Sequence, residues 1–171
     1  MLRINENNQF TLAGTTWTVL NQTEQGVVCI ADRSIRMIGF GTSNDWREST
    51  IRKYLNTDFL EEIEKEIGAE NVIEIERNLL SLDGLDDYGT CMDKVSLINL
   101  DEYRKYRKKI PNTDKWWWMI TPDSTPSNDD SEWMTVVSPS GNFHCFNCFY
   151  VDYGVRPFCI FASCIFESGE K

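Results

Sequence analysis

The segment GNFHCFNCFYVDYGVRP, residues 141–157, holds the chain's one histidine, His144, and a Cys-x-x-Cys pair, Cys145 and Cys148, among aromatic side chains. These residue types serve three chemistries: a zinc site, a dithiol redox centre and a Cys-His nucleophile. Direction argues against the first and the last. Phe143, Phe146, Phe149, Tyr150 and Val151 are strand formers, so 142–152 is expected to run extended. Residues three apart on a strand face opposite sides, as do immediate neighbours, so neither Cys145 with Cys148 nor His144 with Cys145 would converge on one atom. The wider spacing through Cys159 and Cys164, C-x2-C-x10-C-x4-C, departs from common zinc patterns. A redox dithiol needs its first cysteine at a helix start, and nothing after Cys145 reads as helix. The expectation is therefore no metal, no cofactor and no catalytic residue, with the cysteines packed as small reduced hydrophobes.

The loop TPDSTPSNDDSE offers oxygens from Asp123, Asn128, Asp129, Asp130 and Glu132. It lacks the glycine and ordered spacing of an EF-hand, and reads as a solvated loop with calcium left open.

The elements that must position these residues begin with short β-branched or apolar runs at 10–12, 15–20 and 26–31, a meander broken by Ala13-Gly14 and a polar turn. From Asp45 the period changes. Asp45 and Glu48 suit a capping box, and Trp46, Ile51, Leu55, Phe59, Ile63 and Ile67 fall near helical spacing. Two short helices are expected, meeting at Asn56-Thr57 and stopped by Gly68. Residues 71–77 alternate as a half-buried strand or arm. A Gly/Asp-rich loop, a strand at 94–99 and a short helix at 100–109 follow. That helix carries a solvated basic face of Arg104, Lys105, Arg107, Lys108 and Lys109. From Trp116 the chain reads as strand again, through WWWMI, WMTVV and the opening segment, with the tryptophans divided between two faces. Strands at both ends with helices between them make one α+β domain spanning 1–171.

A length of 171 residues with 41% hydrophobic side chains suffices for one core. The net charge of −10 repels nucleic-acid phosphates and anionic lipid, so direct nucleic-acid or membrane binding is not expected, while a basic protein partner is permitted. With no secretory pattern at its start, the chain is expected in the cytoplasm or associated with a virion.

Four ordered motifs carry a resemblance: Trp46 to Asn56 with Ser49, Arg52 and Leu55 inside it; Asp93-Lys94-Val95; Trp117-Trp118-Met119-Ile120-Thr121-Pro122; and Gly154-Val155-Arg156-Pro157. They resemble a bacterial and phage domain-of-unknown-function family with a W-x-x-S-x-x-R-x-W-L-N helix, a D-K-V strand, a W-W-L-R-S-P strand and a G-V-R-P close. That family is similar to the C-type lectin-like fold of formylglycine-generating enzyme and of retroelement-diversified proteins. This chain departs from it at Ser96, Ile120 and Phe158. The resemblance implies mixed or antiparallel sheets with two to three short helices. Trp46, Arg52, Trp117, Trp118, Gly154, Arg156 and Pro157 are its structural motif residues. Gly154 would allow a turn, Arg156 would satisfy carbonyls or an acidic partner, and Pro157 would begin an edge or terminal strand. Formylglycine-generating enzyme spaces its copper-binding cysteines with four residues between, unlike Cys145 and Cys148, so its activity is not implied.

A non-enzymatic recognition module of phage or mobile-element origin follows, binding a protein or small ligand through His144, Phe146, Asn147, Tyr150, Asp152 and Tyr153. The types found in this stretch are those that pyrimidine-ending codons can encode. The alternative is an acidic inhibitor of a basic, nucleic-acid-binding defence protein, with Asp58, Glu61, Glu62, Glu66, Glu70, Asp86 and Asp87 as phosphate mimics.

Overall fold

The computed structural model describes residues 1–168. Strands β1 (Gln9–Leu12), β2 (Thr15–Thr23) and β3 (Gly26–Ala31) form the expected meander. Ala13 and Gly14 both take positive φ, 50° and 67°, which matches the right-handed twist of a hairpin. Every residue of β3 is buried, because its two faces feed two cores. Val27, Cys29 and Ala31 enter the first, and Val28 and Ile30 the second.

The helical region differs from expectation. A 3-10 turn (Trp46–Glu48), α1 (Thr50–Tyr54), a π-turn (Leu55–Phe59) and α2 (Leu60–Ile67) follow one another, and helical backbone is unbroken from Thr50 to Ile67, where Gly68 stops it as expected. The cause lies at Asn56. Its side-chain amide donates to the Val95 carbonyl (2.8 Å) and accepts from the Val95 N–H (3.1 Å), and the helix widens by one residue to keep that partner. The capping box is also elsewhere. In the tight 3-10 turn, Asp45 caps the Arg47 N–H, and Ser49 takes over for Arg52. The reciprocal box forms between Asn99 and Glu102 at the start of α3 (Leu100–Tyr106).

Residues 71–77 are two strands. β5 (Val72–Ile73) joins the six-stranded sheet and β6 (Ile75–Asn78) pairs with β7 (Thr90–Asp93) in a separate ribbon. After β8 (Val95–Ser96) and α3, β9 (Trp117–Pro122) runs through the middle of a five-stranded sheet. Trp118 and Ile120 point into the first core, Trp117 and Met119 into the second. β10 (Trp133–Val137) and β11 (Phe143–Asn147) extend that sheet on one side; β12 (Gly154–Val155) and β4 (Arg36–Met37) extend it on the other. β12 lies parallel to β9. β13 (Phe158–Phe161) lies antiparallel to β3, and both β5 and β8 pair with it. The architecture is α+β. Leu2 and Phe166 pair in parallel, with Leu2 donating to Ile165 O (2.7 Å) and accepting from Glu167 N (2.8 Å). No helix among the described residues is long and apolar enough to cross a membrane.

Two of the motifs are bonded to each other, and the others to neighbouring strands and loops. Trp46 Nε1 donates to Asp93 Oδ2 (2.7 Å) and Arg52 Nε to Asp93 Oδ1 (2.8 Å), which ties the helix to the end of β7. Gly154 does not turn the chain. It sits in β12 so close to its neighbour that an added Cβ would lie 1.9 Å from Ser34 Oγ and 2.5 Å from Ser34 Cβ. Arg156 is fully buried, donating to Ala31 O (2.9 Å) and Asp32 O (3.1 Å), with its guanidinium 4.8 Å from the Trp117 ring centroid. Burial lowers its pKa to about 10. Pro157 leads into the last strand in sequence among the described residues, which is central in its sheet rather than at an edge. Its carbonyl accepts from Ala31 N (2.8 Å), and lacking an N–H it stands just before the ladder of β13 begins.

Candidate functional site

Strand β11 ends the five-stranded sheet, and its two faces differ. His144 and Phe146 lie on the side of Val136 and Met134, their register partners on β10, and so extend the first core outward. The chain then turns back instead of continuing as strand. Asn147 causes this: its Oδ1 accepts from Phe149 N (2.9 Å) and its carbonyl from Tyr150 N (3.1 Å), a side-chain-supported turn. The extended expectation therefore holds for 143–147 and is corrected for 148–152.

The turn lays Tyr150 and Tyr153 against Phe146, with ring centroids 5.9 and 5.1 Å away. Tyr150 and Tyr153 are themselves 5.0 Å apart. Trp116, just before β9, completes the group at 5.1 Å from His144, 5.8 Å from Phe146 and 5.8 Å from Tyr153, stacked on the last at 21°. Four of the anticipated residues, His144, Phe146, Tyr150 and Tyr153, thus share one aromatic platform. Its floor is Tyr153, 5% exposed and packed on Trp118; its rim is Tyr150, 47% exposed. Burial, with Tyr150 and Asp152 nearby, pushes the Tyr153 phenol up to about 12, so it remains a neutral hydrogen-bonding group at neutral pH. Trp116 was absent from the anticipated set. Asp152 is exposed beside the platform. Asn147 is engaged elsewhere, its Nδ2 donating to Glu132 (3.2 Å).

On the opposite face, Cys145 Sγ donates to Asp123 Oδ1 (3.0 Å). Burial first, then the bond and charge of Asp123, push this thiol up to about 12. Cys148 is fully buried in the first core, and burial with the charge of Glu132 pushes it up to about 11. Both sulfurs are held as thiols in acidic surroundings, the opposite of what a nucleophile or metal-binding thiolate requires. Among the described residues, no three His, Cys, Asp or Glu side chains are grouped to hold a metal ion. The carboxylates of the 123–132 region and its neighbour instead fasten loops. Asp83 accepts from Ser81 (2.5 Å) and Ser124 (2.6 Å), Asp87 from Ser127 N and Oγ (both 2.8 Å), and Asp130 from Glu132 N (2.9 Å).

The anticipated acidic face is divided. Asp58, Glu61, Glu62, Glu66 and Glu70 lie on or beside α2, where Lys65 pairs with Glu61 (3.3 Å) and Glu62 (2.9 Å), and Glu66 accepts from Ala13 N (3.2 Å). Asp86 and Asp87 belong to the loop fastened to Ser127. A further buried charge went unanticipated. Arg77 donates to Ser96 Oγ (2.9 Å), Leu97 O (2.9 Å) and both oxygens of Glu102 (2.9 and 2.5 Å), a fork of bonds that joins β6 to the cap of α3.

No curated protein and no solved structure matches the chain. A family model described as Domain of unknown function (DUF6273) matches residues 25–163, a span that holds all four sequence motifs and the aromatic platform, and the protein belongs to that family.

Proposed function

We propose that this protein is a non-enzymatic recognition domain of C-type lectin-like type, of the kind carried by phages and mobile elements, whose binding surface is the platform of Trp116, His144, Phe146, Tyr150 and Tyr153. The observation that carries the reading is the continuity of this platform with the first core: Tyr153 and Trp118 fix its floor while Tyr150 stands 47% exposed at its rim. Rigid aromatic side chains present large contact area at low entropic cost, and polar tips such as His144 and the tyrosine hydroxyls add direction. Two packed sheets flanked by short helices, with Leu2 paired to Phe166, are compatible with a lectin-like topology. The protonated, acid-flanked thiols favour binding over catalysis.

The test is affinity capture from the native host with wild-type protein and with Tyr150→Ala and His144→Ala, which alter the rim and leave the floor intact. The expected result is a partner or sugar retained by wild type and lost at least tenfold by Tyr150→Ala. Equal retention by wild type and both variants overturns the reading.

The second reading, an inhibitor of a basic nucleic-acid-binding protein, draws on the exposed carboxylates of the α2 segment. Its affinity would fall steeply with added salt, whereas platform recognition would persist. Pairing of Lys65 with Glu61 and Glu62 reduces the charge available to it.

A further inference from the structure

Among the described residues β11 pairs with one strand, β10, and no strand lies along its other edge. The register shows which backbone groups point outward. Cys148 N donates to Glu132 O (2.7 Å) and Ser138 N to Asn142 O (2.8 Å), so these pairs bracket the ladder as hydrogen-bonded positions. Alternation then makes Val136/His144 and Met134/Phe146 hydrogen-bonded pairs, and leaves Phe143, Cys145 and Asn147 with their N–H groups directed away from β10. The carbonyls of Phe143 and Cys145 point the same way, while that of Asn147 is taken by Tyr150 N (3.1 Å). An edge of this kind is a template for an added strand.

We propose that this edge receives an extended, basic peptide segment of a partner protein as a further strand beside β11. The inference rests on the platform reading and specifies its ligand. A strand laid on the edge would direct alternate side chains to the two faces of β11. One set would meet His144, Phe146 and Tyr150. The other would meet the face where Cys145 bonds Asp123 and Asn147 bonds Glu132. The first set is therefore apolar or aromatic and the second lysine or arginine, an alternation that neither the platform nor the charge alone would select. A second copy of this chain is disfavoured as occupant, since edge-to-edge pairing of two β11 strands would bring Asp123 and Glu132 against their own counterparts in a protein of net charge −10.

The experiment uses a synthetic peptide of alternating lysine and phenylalanine, its glutamate-for-lysine counterpart, and a version N-methylated at alternate residues, which keeps the side chains but cannot complete the ladder. Binding is read by calorimetry, and amide hydrogen exchange is followed at Phe143, Cys145 and Asn147. The expected result is binding of the lysine peptide, at least tenfold loss on N-methylation or on exchange of lysine for glutamate, and slowed exchange at those three amides. Cys145→Pro, which removes an outward N–H, should reproduce the loss; the methylated peptide tests the same bond on unaltered protein should that variant not fold. Equal affinity of the methylated peptide, with Tyr150→Ala still abolishing binding, overturns the edge and leaves the platform standing. Failure of every peptide to bind, or protection of the edge that depends on protein concentration alone, also overturns it, the latter in favour of self-pairing.

Discussion

Asp93 shows how a single carboxylate can hold two of the sequence motifs together. It is 4% exposed and accepts from both the Trp46 indole and the Arg52 guanidinium. Removing it strands a buried donor and an arginine at once. Asp93→Ala is expected to lower the unfolding free energy by about 3–5 kcal/mol, read from urea denaturation. The cysteines give a second prediction at this scale. Cys29 and Cys159 face each other across β3 and β13 and are fully buried, and burial pushes both thiols well up. Cys164 is exposed. Under native conditions a thiol reagent should label Cys164 first, with Cys29 and Cys159 reacting only after unfolding; early labelling of Cys159, seen by peptide mass mapping, would contradict the packing. Arg77 shows what residue-level reading missed. Its carboxylate partner, Glu102, is 25 positions away, beyond any local pattern.

Among the elements, the strands were legible because burial on one or both faces leaves a period of two or an unbroken apolar run in the sequence. The meander, β9 and β10 all show it. The π-turn was not legible, because Asn56 chooses its partner Val95 from a distant strand. The turn after β11 had a local signal in Asn147, outweighed in the reading by the strand formers around it. Elements also interlock through close approach. In Gly154→Ala the new Cβ would overlap Ser34 Cβ as well as its hydroxyl, which rotation of the hydroxyl cannot relieve, and β4 must move from β12. A loss of about 1–3 kcal/mol is expected by thermal or urea unfolding. The loop clasp adds a pH dependence. Hydrogen bonds from Ser124 and Ser81 hold the Asp83 carboxyl below its usual range. Because the folded pKa is the lower one, the clasp's contribution is present above the unfolded value of about 3.9 and is lost as pH falls through the folded pKa. Ser124→Ala should move the Asp83 titration upward, as followed by carboxyl NMR shifts.

For the whole molecule, the sequence conveys the class of fold better than the site, since each strand's pattern is local while the platform gathers Trp116 with residues 144–153 only after β9, β10 and β11 have aligned. The same assembly brings Leu2 and Phe166 together. Leu2 runs parallel to Phe166, so a stretching force applied through the ends would pull the paired segments in opposite senses along their length, loading both bridging hydrogen bonds in shear simultaneously. A domain tethered at both ends would meet tension first at this clasp, which is not part of the sheet that carries β11.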